Sequence, residues 1–539
     1  MRTLSILWLH KICTANARIL MTADHTTITY APPAVVDAPT RRSLSAPWAI
    51  PVAVGLLLLI ATALRLYDIG GPSIWWDEGF SHRWATLPVA QVMHETQNED
   101  YNPPLYYLTL NGWVRFFGDS VTSMRMPSAI ASVIAVWLTY VIGCRLTSRG
   151  TALCAAAGMT FASFQIVYAH QARCYGLLLM FTLASIYFFL RILAERKFIL
   201  SACYVLSTAA MLYLHVYGAF FLAMECAVVL AVWISRSPTK LTIKRAIAVQ
   251  AVLLAMLVPW FMFALSRAKA ADGSFWLERP SVRYIARQFE RLAGSRSASA
   301  IMLLLAVIAA YAMVKLWRQP KPEPMSQPAA PVLPFTPGGA IAFLFSWMFI
   351  PHILPIIASH IAAPIYLDRY VIGTTPAMFL LAAVGLSAIP IRGVAIALGV
   401  ALLAILSFDT LKEMKRPLNV QADELVRYVE KEARPGDLLV FDGHSGGGEN
   451  TFDYYAKRTD LRKSMIHWSF ADVDAKYISK LKEFAAGSEC VWVITLDRPQ
   501  KVNAVRTAMQ ADYPYVSRFP KEASLIHMCA QRFAKTPLP

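Results

Sequence analysis

The sequence predicts an α-helical polytopic membrane protein that ends in a small soluble α/β domain. Three observations carry this. The 539 residues are 56% hydrophobic and only 16% charged, with a mean hydropathy of +0.45, whereas soluble domains average about 25% charged. About eleven apolar runs have the length of a bilayer span, roughly twenty residues. From about residue 411 charged residues return and the apolar residues fall into short, alternating runs.

Residues 1–46 are mixed in polarity and read as a cytoplasmic tail; a second Met at position 21 leaves the start open. The run Leu4 to Leu9 is too short and interrupted for a signal peptide. The expected spans are 47–66, 122–144, 150–168, 174–192, 198–214, 216–234, 246–265, 297–316, 340–359, 370–389 and 392–409. His215 barely separates the fifth from the sixth. Basic residues set the orientation, because Lys and Arg collect in cytoplasmic loops. With the tail inside, the inner edges hold Arg145 and Arg149, then Arg191, Arg196 and Lys197, then Arg236, Lys240, Lys244 and Arg245, then Lys315, Arg318 and Lys321, and Arg392. The first loop, 67–121, then lies on the extracytoplasmic side. Segment 266–296 is outside too, yet carries Arg267, Lys269, Arg279, Arg283, Arg287 and Arg291; long translocated segments escape the rule.

Pro103 to Gly118 reads as a helix with Pro at its start, lying on the membrane surface. Gln319 to Pro337 is a Pro-rich linker. In the C-terminal part, Ala422–Glu432, Asp472–Ala486 and Asn503–Ala511 read as helices. Asp437–Phe441, Val491–Thr495 and Ser524–Met528 read as strands, which makes an α/β domain. The odd span count puts it outside. The expected organisation is thus tail 1–46, membrane domain 47–410 and extracytoplasmic domain 411–539.

A net charge of +17 would suggest nucleic acid in a soluble chain. Here it follows from cytoplasmic loops meeting anionic headgroups, and no nucleic-acid partner is expected. Eight cysteines show neither CxxC nor zinc spacing, so no metal is expected. Cys490 and Cys529 share the C-terminal domain, where an oxidising compartment would permit a disulfide.

The first loop concentrates the candidate chemistry. Asp77 and Glu78 follow Trp75 and Trp76, aromatic residues that favour the membrane–water boundary. A carboxylate there can serve as a base for a hydroxyl within hydrogen-bond reach. Two adjacent acids point in different directions, so one is expected to be catalytic and the other structural; both being solvated loop acids is the plainer alternative. Arg173, in His170-Gln171-Ala172-Arg173-Cys174-Tyr175, could grip a phosphate with its planar donors, or simply snorkel at a helix end. Arg369 follows Asp368 at another helix start, where backbone N–H groups favour anions; the two side chains could instead pair locally. His215 and Tyr217 lie on the same face, where a lone His is commonly structural. Glu225 falls mid-helix and must face the bundle interior; a buried, hydrogen-bonded role is expected. Gly443 to Gly448 lacks P-loop and dinucleotide spacing and reads as a flexible loop.

Taken in order, LRLYDIGGPSIWWDEG, NPPLYYLTLNGW, SMRMPSAIAS, YAHQARCYGLLL, LYLHVYGAFFL and LDRYVIGTTPAM resemble the bacterial membrane glycosyltransferases similar to protein O-mannosyltransferases and to the aminoarabinose transferase of lipid A, which have the GT-C fold. The resemblance covers about 47–410. It implies a polyprenyl-phosphate-linked sugar donor, and a glycan, lipid or protein acceptor at the outer face of the inner membrane. It further implies inversion at the anomeric carbon and no cofactor. It makes Asp77 the base with Glu78 beside it, and Arg173 and Arg369 ligands of the donor phosphate together with Tyr175 and Tyr370. Trp76, Asn102, Tyr106, Gln171, His215 and Tyr217 are the expected substrate contacts. Gln171 stands where the family has glutamate, and Asn102 where many members have His. A transporter or flippase of a lipid-linked glycan is the alternative, although no internal repeat supports it. A structural module of an envelope complex is a second.

Overall fold

The computed structural model describes residues 48–99, 102–270, 277, 279–318, 333, 335–415, 422–443, 447–467, 475–495, 499–520 and 528–537. The chain is helical from the first apolar run. Helix α1 spans Ala49–Leu66 and leads into three loop helices: α2 (Trp76–Thr86), α3 (Val89–Glu99) and α4 (Leu105–Phe117). The expected helix after Pro103 is therefore present, and Gly118, with φ of +78°, closes it. Then come α5 (Val121–Leu146), α6 (Arg149–Phe161), α7 (Ser163–Ala169), α8 (Tyr175–Ala194), α9 (Phe198–Leu214), α10 (Gly218–Ile234) and α11 (Ile243–Ala270). A further amphipathic helix, α12 (Val282–Ala293), precedes α13 (Arg296–Trp317) and α14 (Pro337–Ile361). A 3-10 turn, Asp368–Thr374, runs into α15 (Thr375–Ala388), and α16 covers Arg392–Met414.

Every expected span coincides with helix. By length and composition seven of the described helices can cross a membrane, or eight if α6 and α7, bent by 58°, form one broken span. Helices α9 and α10 are shorter apolar helices. Serine caps begin several elements: Ser120 accepts from Ser123 N at 3.2 Å, Ser148 from Thr151 N at 3.2 Å and Ser295 from Ala298 N at 3.3 Å, which satisfies N–H groups that lack a partner in the first turn.

The α6–α7 break frees carbonyls that a continuous helix would bond. Buried Arg65, at the end of α1, donates to Met159 O (3.0 Å) and Thr160 O (3.3 Å), and Thr410 Oγ1 donates to Phe161 O (2.7 Å). Side chains from both ends of the membrane part thus replace the missing ladder. Glu225 accepts from Ser185 Oγ (2.9 Å) and Tyr204 OH (2.8 Å), the hydrogen-bonded interior role expected of it.

The C-terminal domain is a five-stranded sheet with helices. Its elements are α17 (Ala422–Glu432), β1 (Leu438–Gly443), α18 (Gly447–Tyr455), β2 (Arg462–His467), α19 (Ala475–Ala485), β3 (Cys490–Thr495), α20 (Pro499–Met509), β4 (Tyr515–Phe519) and β5 (Cys529–Ala534). The strand order is β2-β1-β3-β5-β4, parallel through the first three and antiparallel thereafter. Strands β2 and β4 have no counterpart in the sequence reading. The expected strand Ser524–Met528 lies outside the described residues except for Met528; the observed strand begins one residue later. Cys490 pairs with Ala534 and Cys529 with Thr495, so the two cysteines sit at opposite ends of β3 and β5. That is roughly 17 Å, beyond disulfide reach.

Helix α18 also revises the reading of Gly443–Gly448. Residues 444–446 lie outside the described residues, but Gly448 is helical and packs on Trp76, whose ring would stand 2.6 Å from an added Cβ. The glycine serves a close approach rather than a loop. Tyr455 OH accepts from Ile74 N (2.8 Å), Tyr454 OH donates to Asp119 O (3.1 Å), and Ser73 Oγ accepts from Ala422 N (2.7 Å). The C-terminal domain is therefore seated on the first loop.

Candidate active site

Asp77 and Glu78 occupy the first turn of α2, where the helix dipole favours acids. One residue of helical rotation sends them to opposite environments. The Glu78 side chain has no exposed surface and the Asp77 side chain keeps 24%.

Glu78 is fully occupied. Arg125 Nε donates to its Oε1 at 2.8 Å and Nη2 to its Oε2 at 2.7 Å. The Ala172 N–H adds 2.7 Å to Oε1, and the Trp75 N–H adds 3.2 Å to Oε2. The rest of Arg125 donates to the carbonyls of Ile69 and Pro72 (both 2.9 Å) and Ser73 (3.1 Å). These four donors do not leave Glu78 a solvated loop acid. Instead it joins the first loop, α5 and the loop before α8.

Asp77 faces two guanidinium groups. Its Oδ2 lies 3.8 Å from Arg173 Nε and 3.9 Å from Arg369 Nη2. Arg173 Nη1 also donates to Asp77 O and to Tyr107 OH, both at 3.3 Å. Burial opposes the Arg173 charge, but Tyr107 and Asp77 outweigh it, and its pKa stands well above the usual arginine range. The net charge of this trio is +1, in a partly enclosed setting that strengthens electrostatic interactions.

Arg369 starts the 3-10 turn, beside the rings of Tyr175 (5.6 Å) and Tyr370 (5.7 Å). Tyr370 in turn stands 4.6 Å from the His215 ring and 5.0 Å from that of Tyr217. Tyr217 OH donates to Ile365 O, anchoring the segment before Arg369. His215 is buried and its Nδ1 accepts from Tyr217 N at 3.1 Å. Burial, reinforced by Arg173 and Arg369, pushes its pKa down to about 3, so the ring is neutral.

Asp368 does not hold the Arg369 side chain. Its Oδ1 accepts the Arg369 N–H at 2.7 Å, and its Oδ2 pairs with Arg291 Nε of α12 at 2.9 Å. Of the other expected contacts, Tyr106 is buried with its ring 5.3 Å from that of Tyr107, and burial pushes its hydroxyl pKa well up. Gln171 Oε1 is buried with no hydrogen-bond partner among the described residues. Asn102 is half-buried in the turn into α4. Trp76 is half-buried, with its ring against Gly448.

The sequence reading passed over Arg125, Tyr107 and Tyr168. Arg125 had a signal: one cation inside an apolar run, between Met124 and Met126, is by default a functional position. Tyr107 could not be separated from Tyr106 by pattern. Tyr168, on α7, stacks edge-on against Tyr175 at 5.2 Å and feels the charges of Asp368, Arg369, Arg291 and Asp77.

The chain is a multi-pass membrane protein whose helical bundle has the GT-C fold, that of a solved structure it resembles. The family described as dolichyl-phosphate-mannose-protein mannosyltransferase matches residues 101–263. Among solved structures, the chain resembles the crystal structure of ArnT from Cupriavidus metallidurans in the apo state, with TM-score 0.56 and 13% identity over 90% of this chain and 99% of that one. It resembles the same protein bound to undecaprenyl phosphate with TM-score 0.54 and 13% identity, over 90% and 98% of the two chains. At this identity the likeness establishes the fold. No curated protein matches the chain by sequence.

Proposed function

We propose that this protein transfers a sugar from a polyprenyl-phosphate donor to a nucleophilic acceptor, with Asp77 as general base. The observation that carries the reading is the position of Asp77 Oδ2 within 4 Å of both Arg173 and Arg369. A base beside two cations suits a reaction whose leaving group is an anion. The ArnT structure similar in fold holds undecaprenyl phosphate, which supports a lipid-phosphate donor.

In this reading Arg173 and Arg369 bind the donor phosphate, with Tyr175 and Tyr370 walling the guanidinium of Arg369. Asp77 takes the proton of the acceptor hydroxyl or amine as its oxygen or nitrogen bonds to the anomeric carbon. The bond from that carbon to the phosphate oxygen breaks, its electron pair stays on the phosphate, and the two arginines hold the added charge. Back-side attack inverts the anomeric carbon. Glu78 and Arg125 position the turn that carries Asp77. Residues 47–410 form the catalytic unit, and 411–539 brace the first loop. The site faces the extracytoplasmic side, from the distribution of basic residues between loops.

The test is transfer from a synthetic polyprenyl-phosphate sugar by the protein reconstituted in lipid. Asp77→Asn should lower turnover by about 100-fold or more while leaving donor binding in place. Turnover by this variant at the wild-type rate would remove the proposed base.

A further inference from the structure

Helix α12 carries charge that topology does not explain. The segment lies at the same end of the bundle as Asp77, because Arg291 of α12 pairs with Asp368 and the next residue, Arg369, reaches Asp77. As part of a long translocated segment it is not bound by the loop-charge rule. Arg283, Arg287 and Arg291 recur every four residues and all are exposed. Residues four apart stack on one face of a helix, about 6 Å apart along its axis, so the three form one stripe, preceded by exposed Arg279.

The opposite face of α12 is spoken for. Leu292, Ala293 and Gln288 are buried, Gln288 Oε1 accepts from Asp368 N at 3.2 Å, and Tyr284 OH donates to Tyr366 O at 3.5 Å. The outer face has little to neutralise it. Among the described residues Glu290 pairs with Arg296 at 3.7 Å and Asp368 with Arg291 at 2.9 Å; neither reaches Arg283 or Arg287. Beside the stripe, Val282 is 85% exposed, an apolar side chain set next to a row of cations. An amphipathic helix with arginines outward and an apolar residue at its flank has the composition of one that lies among lipid headgroups.

We infer that the Arg283–Arg287–Arg291 face of α12 is a docking surface for anionic phospholipid headgroups at the membrane boundary beside the candidate active site. Phosphate oxygens would take the guanidinium donors in charge-assisted hydrogen bonds, and Val282 would enter the acyl boundary. Because α12 is tied to the 3-10 turn through Arg291, Gln288 and Tyr284, a headgroup on this face stands one helix away from Arg369. The inference rests on membrane residence and not on sugar transfer, so either can fail without the other.

The experiment uses the full chain reconstituted in phosphatidylcholine, with spin-labelled phosphatidylglycerol and spin-labelled phosphatidylcholine as probes of the lipid at the protein surface. The wild type should prefer phosphatidylglycerol. Arg283→Ala/Arg287→Ala should weaken that preference by about fivefold for each arginine in contact, and Arg283→Lys/Arg287→Lys should restore most of it. Loss of one exposed charge in the C-terminal domain, in Arg506→Ala, should leave it unchanged. Equal preference in the wild type and the double-alanine variant would overturn the inference. So would displacement of the labelled lipid by millimolar inorganic phosphate, which would make the stripe a site for soluble anions.

Discussion

Glu78 and Arg125 form a buried, two-pronged ion pair, with N–O distances of 2.8 and 2.7 Å. It ties the acidic turn of the first loop to the start of α5, and through the Ala172 N–H to the segment that bears Arg173. Asp77 is aimed by what its neighbour holds. Removing one partner of a buried pair strands the other charge, at about 3–5 kcal/mol. Arg125→Leu and Glu78→Leu should each lower the thermal midpoint of the detergent-solubilised protein markedly. The double variant should lose less than the two together, and a strictly additive result would mean that the pair does not act as a unit.

Asp77 has no such anchoring duty. Asp77→Asn should keep the thermal midpoint within a degree or two. It should lower transfer by about 100- to 10,000-fold, the range of general base catalysis. Donor binding, read by isothermal titration, should hold or tighten, because a negative charge leaves the side of two arginines.

Arg369, within 4 Å of Asp77, is a direct probe of the proposed donor-phosphate contact. A hydrogen bond to a charged group contributes about 1.5–3 kcal/mol. Arg369→Gln should therefore weaken donor binding by roughly ten- to a hundredfold. Unchanged affinity would dissociate Arg369 from the phosphate.

His215 makes a prediction about acid. Burial depresses its pKa from 6.5 to about 3 in the folded chain, and its Nδ1 accepts a hydrogen bond that only a deprotonated nitrogen can. The unfolded chain therefore binds the extra proton first. This contribution is complete above pH 6.5 and is lost as pH falls from 6.5 toward 3, by up to about 1.4 kcal/mol per unit. The wild-type thermal midpoint should fall between pH 7 and pH 5, and that of His215→Gln should fall less. Parallel curves would show that another group sets the acid sensitivity.

The seat of the C-terminal domain should be felt at the first loop. An added Cβ at Gly448 would stand 2.6 Å from the Trp76 ring, so Gly448→Val must displace α18 from α2. Reduced protection of Ile74 to Gly79 in hydrogen exchange is the expected signature, together with slower transfer. Gly487→Val, where nothing lies within 4 Å but φ is +81°, should destabilise the domain without loosening that segment first.

The apolar helices, the helix after Pro103 and much of the C-terminal domain were readable because they rest on local periodicity, which a window of residues contains; seven or eight of the described helices, not eleven, are long and apolar enough to span. Asp77, Arg173 and Arg369 do meet at one end of the bundle. The Pro-rich segment 319–337 lies largely outside the described residues. Helix α12 was missed because its arginines masked a short apolar face, and β2 and β4 because edge strands carry a mixed pattern.

Local pattern could place two adjacent acids in the first loop, but not say which of them would be buried. That was decided by Arg125, a residue on another helix, whose guanidinium pairs with Glu78 and leaves Asp77 partly exposed. The same holds for Trp76 against Gly448 and for Cys490 against Cys529. Pairing between distant segments depends on how helices and strands cross and register, and no short stretch of sequence contains that geometry.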